Sequence, residues 1–81
     1  MYRTEHVWSE DLSEEQKNLL STKSVEIYSR FPDFTPPPMK ISPELPRWVV
    51  RFWPDETSAE EWISFLGNSN FTNLQGAILL D

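Results

Sequence analysis

The prolines of this chain are concentrated in one segment, which separates it into two parts. Six of the seven prolines lie in residues 32–46, and three of them are consecutive, at 36–38. Proline lacks a backbone N–H and disfavours helix in the residue before it, so neither a regular helix nor a central strand can pass through this segment. The segment is therefore expected to be a stiff, extended connector, with regular structure before and after it.

The chain has 81 residues, no cysteine and one histidine. A domain of this size buries only about 60% of the surface that its unfolded chain exposes, so its margin of stability is small. Disulfides and cysteine-based metal centres are excluded, and His6 cannot form a zinc site without several carboxylates beside it. We expect a single domain over residues 1–81 with no cofactor and no metal, and we interpret His6 as an exposed residue near the N terminus.

Charge and hydropathy predict a soluble, cytoplasmic protein. No apolar run approaches the roughly 18 residues of a membrane span, and no signal peptide opens the chain. The net charge is −6, and the acidic residues are concentrated in the predicted helices, whereas the predicted strands are mildly basic. Because most of such a surface repels phosphate, general nucleic-acid binding is disfavoured and a membrane partner is not expected.

Two helices are predicted. Ser13 and Gln16 have the spacing of a capping box, which predicts a helix near 13–22. A second helix is predicted to start near Thr57 or Ser58 and to end before Gly67, the expected C′ residue. Its apolar residues recur with helical spacing: Ala59, Trp62, Ile63 and Leu66.

Three strands are predicted from alternation of side chains and from β-branched and aromatic content. They lie at 24–31, at 47–53 and near 75–80. In the second of them Trp48, Val50 and Phe52 share one face, which we expect to pack against the helices. Residues 2–8 are ambiguous, since they could form either a short strand or a tail packed by Val7 and Trp8.

The predicted fold class is α+β, with the element order α-β-β-α-β. A three-stranded sheet with two helices on one face would make a two-layer sandwich that partly resembles a ferredoxin-like fold. The resemblance is one of topology only, and folds of this kind host many unrelated functions.

Candidate binding residues come from two features. On the strand face opposite the predicted core, arginines alternate with aromatic and apolar residues, and in the proline-rich connector two large apolar side chains stand between prolines. Together these are Tyr28, Arg30, Phe34, Met39, Arg47, Val49, Arg51 and Trp53. Three alternatives stay open: the face could stack the bases of RNA or single-stranded DNA, its arginines could simply pair with Glu26 or the acidic helices, and the connector could serve stiffness alone.

No catalytic signature is present. The carboxylate pairs lie at helix starts, where capping explains them, and the two glycines cannot form a phosphate-binding loop. We therefore expect a small non-enzymatic protein-interaction module, such as an adaptor, subunit or inhibitor, in composition like phage-encoded inhibitors and antitoxin-like proteins. The expected partner is a protein, with a sheet-to-sheet homodimer as the simplest case. The alternatives are a sheet-face binder of RNA or single-stranded DNA, and a small-ligand domain of the dimeric α+β type.

Overall fold

The computed structural model of the chain describes residues 1–80, which form two helices and a four-stranded sheet. The elements in chain order are β1 (Tyr2–Trp8), α1 (Glu14–Tyr28), β2 (Lys40–Ile41), β3 (Arg47–Trp53), α2 (Glu56–Asn68) and β4 (Leu74–Leu80). The α+β class is confirmed. The predicted three-stranded sheet and α-β-β-α-β order are wrong in detail, because residues 2–8 form a strand and the connector contributes a short one.

The segment that was ambiguous in sequence, β1, lies at the centre of the sheet. The strand order is β2-β3-β1-β4, and each neighbouring pair is antiparallel. Since β3 and β4 both run opposite to β1, they are parallel to each other but separated by it. This is the split β-α-β arrangement of β-α-β-β-α-β chains, the element order of ferredoxin-like folds.

The predicted strand at 24–31 is wrong, because α1 continues to Tyr28. The capping box at its start is confirmed: the Ser13 hydroxyl accepts from the Gln16 backbone, and the Gln16 side chain accepts from the Ser13 backbone. The alternation in 24–31 is short. Leu20, Ser24 and Ile27, which α1 buries, have helical spacing instead. A β-branched residue costs a helix only a few tenths of a kcal/mol, which the burial of Ile27 offsets.

The second helix is confirmed, although both of its ends differ in detail. Its N-cap is Asp55, whose carboxylate accepts from the Ser58 backbone N–H at 2.8 Å. The helix runs through Gly67 to Asn68, so Gly67 is not the C′ residue. The left-handed conformation falls instead on Asn70, with φ 55°, and asparagine tolerates that region better than most residues do.

The two faces of the sheet are exchanged relative to the prediction. Both helices cover the face that carries Trp53, since its ring contacts Tyr28 of α1 at 4.7 Å and Trp62 of α2 at 5.1 Å between centroids. The predicted core face of β3 is uncovered, and Trp48 on it is 51% exposed. The covered face of β3 carries two arginines, whereas the uncovered face carries apolar residues only, so the alternation in β3 favours the wrong face as the core.

The position of β1 explains the exchange. Thr4, His6 and Trp8 lie on one side of β1 and are fully buried, whereas Arg3 and Glu5 lie on the other side and remain partly exposed. The buried hydrophobic core includes three of the four tryptophans. Its members are Trp8, Leu20, Ile27, Val49, Trp53, Ala59, Trp62 and Leu66. The core therefore lies between β1, β3 and the two helices.

Candidate functional site

The predicted binding residues on β3 lie beneath the helices rather than on a free surface. Val49 is 6% exposed and Trp53 is fully buried, so the prediction that they line the face away from the core is wrong. The Trp53 indole N–H donates to the Thr4 hydroxyl at 2.9 Å, which satisfies its polar group inside the core. These two side chains stabilise the fold.

An aromatic stack links the connector to the core. The ring of Phe34 stacks on Tyr28 with centroids 6.3 Å apart, and Tyr28 stacks in turn on Trp53. The Tyr28 hydroxyl donates to the Phe52 carbonyl oxygen at 2.6 Å. The structure thus places Phe34 and Tyr28 in intramolecular contacts, whereas Met39 is 41% exposed.

Arg30 joins the two helices. Its guanidinium donates to both carboxylate oxygens of Glu61 on α2, at 2.7 and 3.0 Å, and to Glu26 on α1 at 3.1 Å. Hydrogen bonds from Arg30 and then from Lys23 lower the pKa of Glu61 from its usual 4.5 to about 2. The alternative in which the arginines pair with Glu26 and the acidic helices therefore describes Arg30.

Arg47 and Arg51, the remaining predicted arginines, line a cleft of about 780 Å³ between α1 and the sheet. Its floor comes from β1 and β3, one wall from α1, and the opposite wall from β2 and the end of the proline-rich connector. The lining residues are His6, Trp8, Asp11, Leu12, Lys17, Leu20, Ser21, Ser24, Met39, Ile41, Arg47, Val49 and Arg51. Four of the predicted binding residues therefore line the cleft: Met39, Arg47, Val49 and Arg51.

The cleft exists because α1 presents small polar side chains to it. Ser21 and Ser24 line the wall, and the Ser24 hydroxyl donates to the Ser21 carbonyl oxygen of its own helix at 2.9 Å. By contrast, Leu19 and Val25 of α1 are 45% and 62% exposed, so two of its larger apolar side chains lie away from the sheet. A helix with this pattern cannot fill the space above β3.

Among residues 1–80, five buried polar side-chain atoms have no hydrogen-bond partner, and three of them belong to the lining. They are Nδ1 of His6, Nε1 of Trp8 and Nε of Arg51, and all three are covered from solvent. Buried polar atoms are nearly always hydrogen-bonded in native proteins, because each one left unpaired costs about 1–3 kcal/mol. The other two are Nε of Arg3 and Nε1 of Trp62, so most of these atoms belong to the lining of the cleft.

Burial is the main cause of the pKa shifts of the ionisable groups in and beside the cleft. Burial, and to a smaller extent the charge of Arg51, lower the pKa of His6 from 6.5 to about 4, so His6 is neutral at pH 7. Burial also lowers the pKa of Arg51 itself and raises that of Tyr28 beside it. The Arg51 guanidinium lies over the Trp62 ring at 4.9 Å, and among residues 1–80 it forms no ion pair with a carboxylate.

The uncovered side of the sheet is a second candidate surface, which we call the open face. Its residues are those that alternate with the buried ones in the observed register: Arg3, Glu5, Val7, Lys40, Trp48, Val50, Phe52, Gly76, Ile78 and Leu80. Trp48 and Ile78 are each about half exposed, at 51% and 53%. At the centre, Nε of Arg3 lies 3.3 Å from a carboxylate oxygen of Glu5.

Sequence reasoning missed His6, Trp8, Arg3 and Glu5. His6 was interpreted as an exposed residue, and this is wrong, since it is 1% exposed. The signal was present in the alternation of residues 2–8, which places Thr4, His6 and Trp8 on one side of a strand and charged residues on the other.

Comparisons with known proteins add no assignment to this geometry. No protein-family model matches the chain, and neither curated proteins nor solved structures give a match. Within residues 1–80, no group of three or more histidine, aspartate or glutamate side chains could hold a metal ion, and no helix has the length and apolar character to cross a membrane.

Proposed function

We propose that this protein is a small non-enzymatic protein-interaction module and that its binding surface is the open face. The observation that carries the proposal is the exposure of Trp48 and Ile78 on a sheet face that no helix covers. An antiparallel sheet exposed to solvent normally alternates polar residues outward. Here the outward residues of β3 are Trp48, Val50 and Phe52, a pattern typical of an interface.

The partner that this face fits best is a second copy of the chain. Its central charges are one base and one acid, Arg3 and Glu5, adjacent on one side of β1. A twofold axis passing between them would place Arg3 of each copy opposite Glu5 of the other, so the face is complementary to itself. Closed twofold dimers are the commonest way to satisfy such a surface.

Net charge does not oppose this association. The chain carries −6, but the open face contains Arg3 and Lys40 against the single acid Glu5. The acidic residues of the first turns, Glu14, Glu15 and Glu56, belong to the helices on the other side of the sheet. In two copies docked by their open faces, these carboxylates would lie on the outer sides of the dimer. Salt therefore screens most of the repulsion between them.

The test is the mass of the protein in solution, measured by light scattering after size exclusion at tens of micromolar. The chain of 9.5 kDa should run as a dimer, and Trp48→Asp should convert it to a monomer. Val25→Asp is the matched control, because Val25 is exposed to a similar extent but lies on α1. The control should remain dimeric.

Charge reversal tests the twofold arrangement itself. Arg3→Glu and Glu5→Arg should each weaken the dimer, since like charges then face one another, and the double variant should restore it. A monomeric parent chain would contradict the second copy as the occupant. Oligonucleotide binding that Trp48→Asp abolishes would instead favour the nucleic-acid alternative.

A further inference from the structure

The cleft between α1 and the sheet lies on the other side of the molecule from the open face and has its own chemistry. Two of its three unpartnered polar atoms, the indole nitrogen of Trp8 and Nε of Arg51, can only donate hydrogen bonds. The third, Nδ1 of His6, donates in the tautomer that carries the proton there. A ligand that satisfies this set must supply acceptors.

The charges of the lining specify the sign of that ligand. Three cations line the cleft, namely Lys17, Arg47 and Arg51, against a single acid, Asp11. Asp11 is bonded to Arg47 and Glu14 to Lys17, so among residues 1–80 only Arg51 of these three cations has no carboxylate partner. A planar guanidinium is suited to a carboxylate, which can accept from two of its N–H groups at once.

Most of the other lining residues are apolar, so the part of the ligand that contacts them should be apolar too. Leu12, Leu20, Met39, Ile41 and Val49 all line the cleft, from both walls and the floor. Its volume of about 780 Å³ falls within the usual range of small-molecule sites, roughly 300–1,000 Å³. Such sites combine a mostly apolar surface with a few convergent polar groups.

We propose that this cleft binds a small organic carboxylate with an apolar body, whose carboxylate pairs with Arg51. Met39 and Lys17 are exposed side chains of the lining, and exposed side chains exchange rotamers readily. The proposal goes beyond the proposed function and does not depend on it, since the open face is elsewhere.

The experiment compares octanoate with octanol, which has the same apolar chain and no charge. Titration of each into the full-length protein by calorimetry should give saturable binding of octanoate and at least tenfold weaker binding of octanol. That ratio is the loss expected when a hydrogen bond to a charged group is removed. Equal affinity for the two, or no binding of octanoate at millimolar concentration, would overturn the proposal.

The tryptophans provide an internal control for the location of the ligand. In nitrogen–proton correlation spectra the indole N–H signal of Trp8 should shift on addition of octanoate. The signal of Trp48, which lies on the open face, should stay in place. A shift of the Trp48 signal alone would mean that octanoate binds the open face, and it would overturn the cleft as the site.

Two variants test the residues. Arg51→Met should lower the affinity for octanoate at least tenfold while leaving that for octanol unchanged. Because Arg51 packs over Trp62, this variant could unfold, so Ser21→Trp provides a second test: Ser21 is exposed at the rim, and the larger side chain should block the cleft in a protein that melts normally. Unchanged octanoate binding in a folded form of either variant would contradict the proposal.

Discussion

The two helices cover the same face of the sheet but contribute to the protein in different ways. In α2, Ala59, Trp62 and Leu66 are buried with helical spacing, and the helix packs on β1, β3 and β4. In α1, which is longer, only Leu20, Ser24 and Ile27 are buried. The side of the molecule under α2 is thus filled by large side chains, whereas the side under α1 contains the cleft.

This difference teaches that the two helices of one small domain can differ in how closely they pack on the sheet. A well-packed helix anchors the three long strands, and this allows the other helix to leave unfilled space and unpaired polar atoms beside it. Unfilled space and unpaired polar atoms destabilise a fold, so they persist only where another part of the structure stabilises it. The small side chains of α1 lie on the cleft side, as do three of the unpartnered atoms, whereas a further one, Nε1 of Trp62, lies on α2.

The largest effect is expected at Trp62, where a substitution tests whether α2 stabilises the core more than α1 does. Its ring contacts Trp53, His6 and Phe65, and it is fully buried, so Trp62→Ala should lower the free energy of unfolding by about 3–5 kcal/mol. Val25→Ala on α1 should change it by less than about 0.5 kcal/mol. Chemical denaturation measures both. Equal losses in the two variants would show that α1 and α2 anchor the core alike.

A smaller effect should appear with pH through His6, which lies between the cleft and Trp62. The pKa of His6 is lowered from 6.5 to about 4 in the folded protein, so the unfolded chain binds the proton more readily. Stability from this group is therefore complete above pH 6.5 and is lost as the pH falls towards 4. The total is about 3 kcal/mol, since each pKa unit corresponds to about 1.4 kcal/mol.

Denaturation at pH 7, 6 and 5 measures this slope, and His6→Gln should abolish it. The contribution of Glu61 falls in a lower window, because its pKa is lowered from 4.5 to about 2 and its stabilisation is lost only below pH 4.5. A slope between pH 7 and 5 that persists in His6→Gln would assign the dependence to other groups.

The smallest effects on stability are expected at the N-caps of the two helices, where substitutions test whether α1 and α2 open independently. Ser13→Ala removes the cap of α1 and Asp55→Ala that of α2, and each should cost about 1 kcal/mol. Because α1 is less firmly packed, we expect Ser13→Ala to speed hydrogen exchange in the first turns of α1 only. Asp55→Ala should speed exchange of the slowest amides throughout the sheet. If both variants affect the same amides, the helices open as one cooperative unit.

The comparison also explains which predictions succeeded. The second helix and β3 were predicted from their own residues, because the spacing of Ala59, Trp62 and Leu66 and the alternation in 47–53 are strong local patterns. The strand predicted at 24–31 failed, because the alternation there was short and the helix begun at Ser13 meets no proline until Pro32. Helix propensity and burial of Ile27 favoured continuation.

The candidate sites were predicted less well than the fold. Met39, Arg47 and Arg51 do line one cleft, but as its rim and floor and not as an exposed face. Their joint position depends on α1 crossing above β3, which no local pattern contains. The role of Arg30 in bridging the helices depends likewise on Glu61, 31 positions away in sequence.

By itself the sequence determined where most elements lie and where they cannot lie. Capping residues, helical spacing and the prolines act over a few positions, so their consequences are local. Only the tertiary structure decided that residues 2–8 form the central strand, which face of the sheet the helices cover, and that a cleft remains beneath α1. The alternation in β3 favours its wholly apolar face as the core, and the opposite choice was made by β1, whose charged residues lie on one side and whose buried histidine and tryptophan lie on the other.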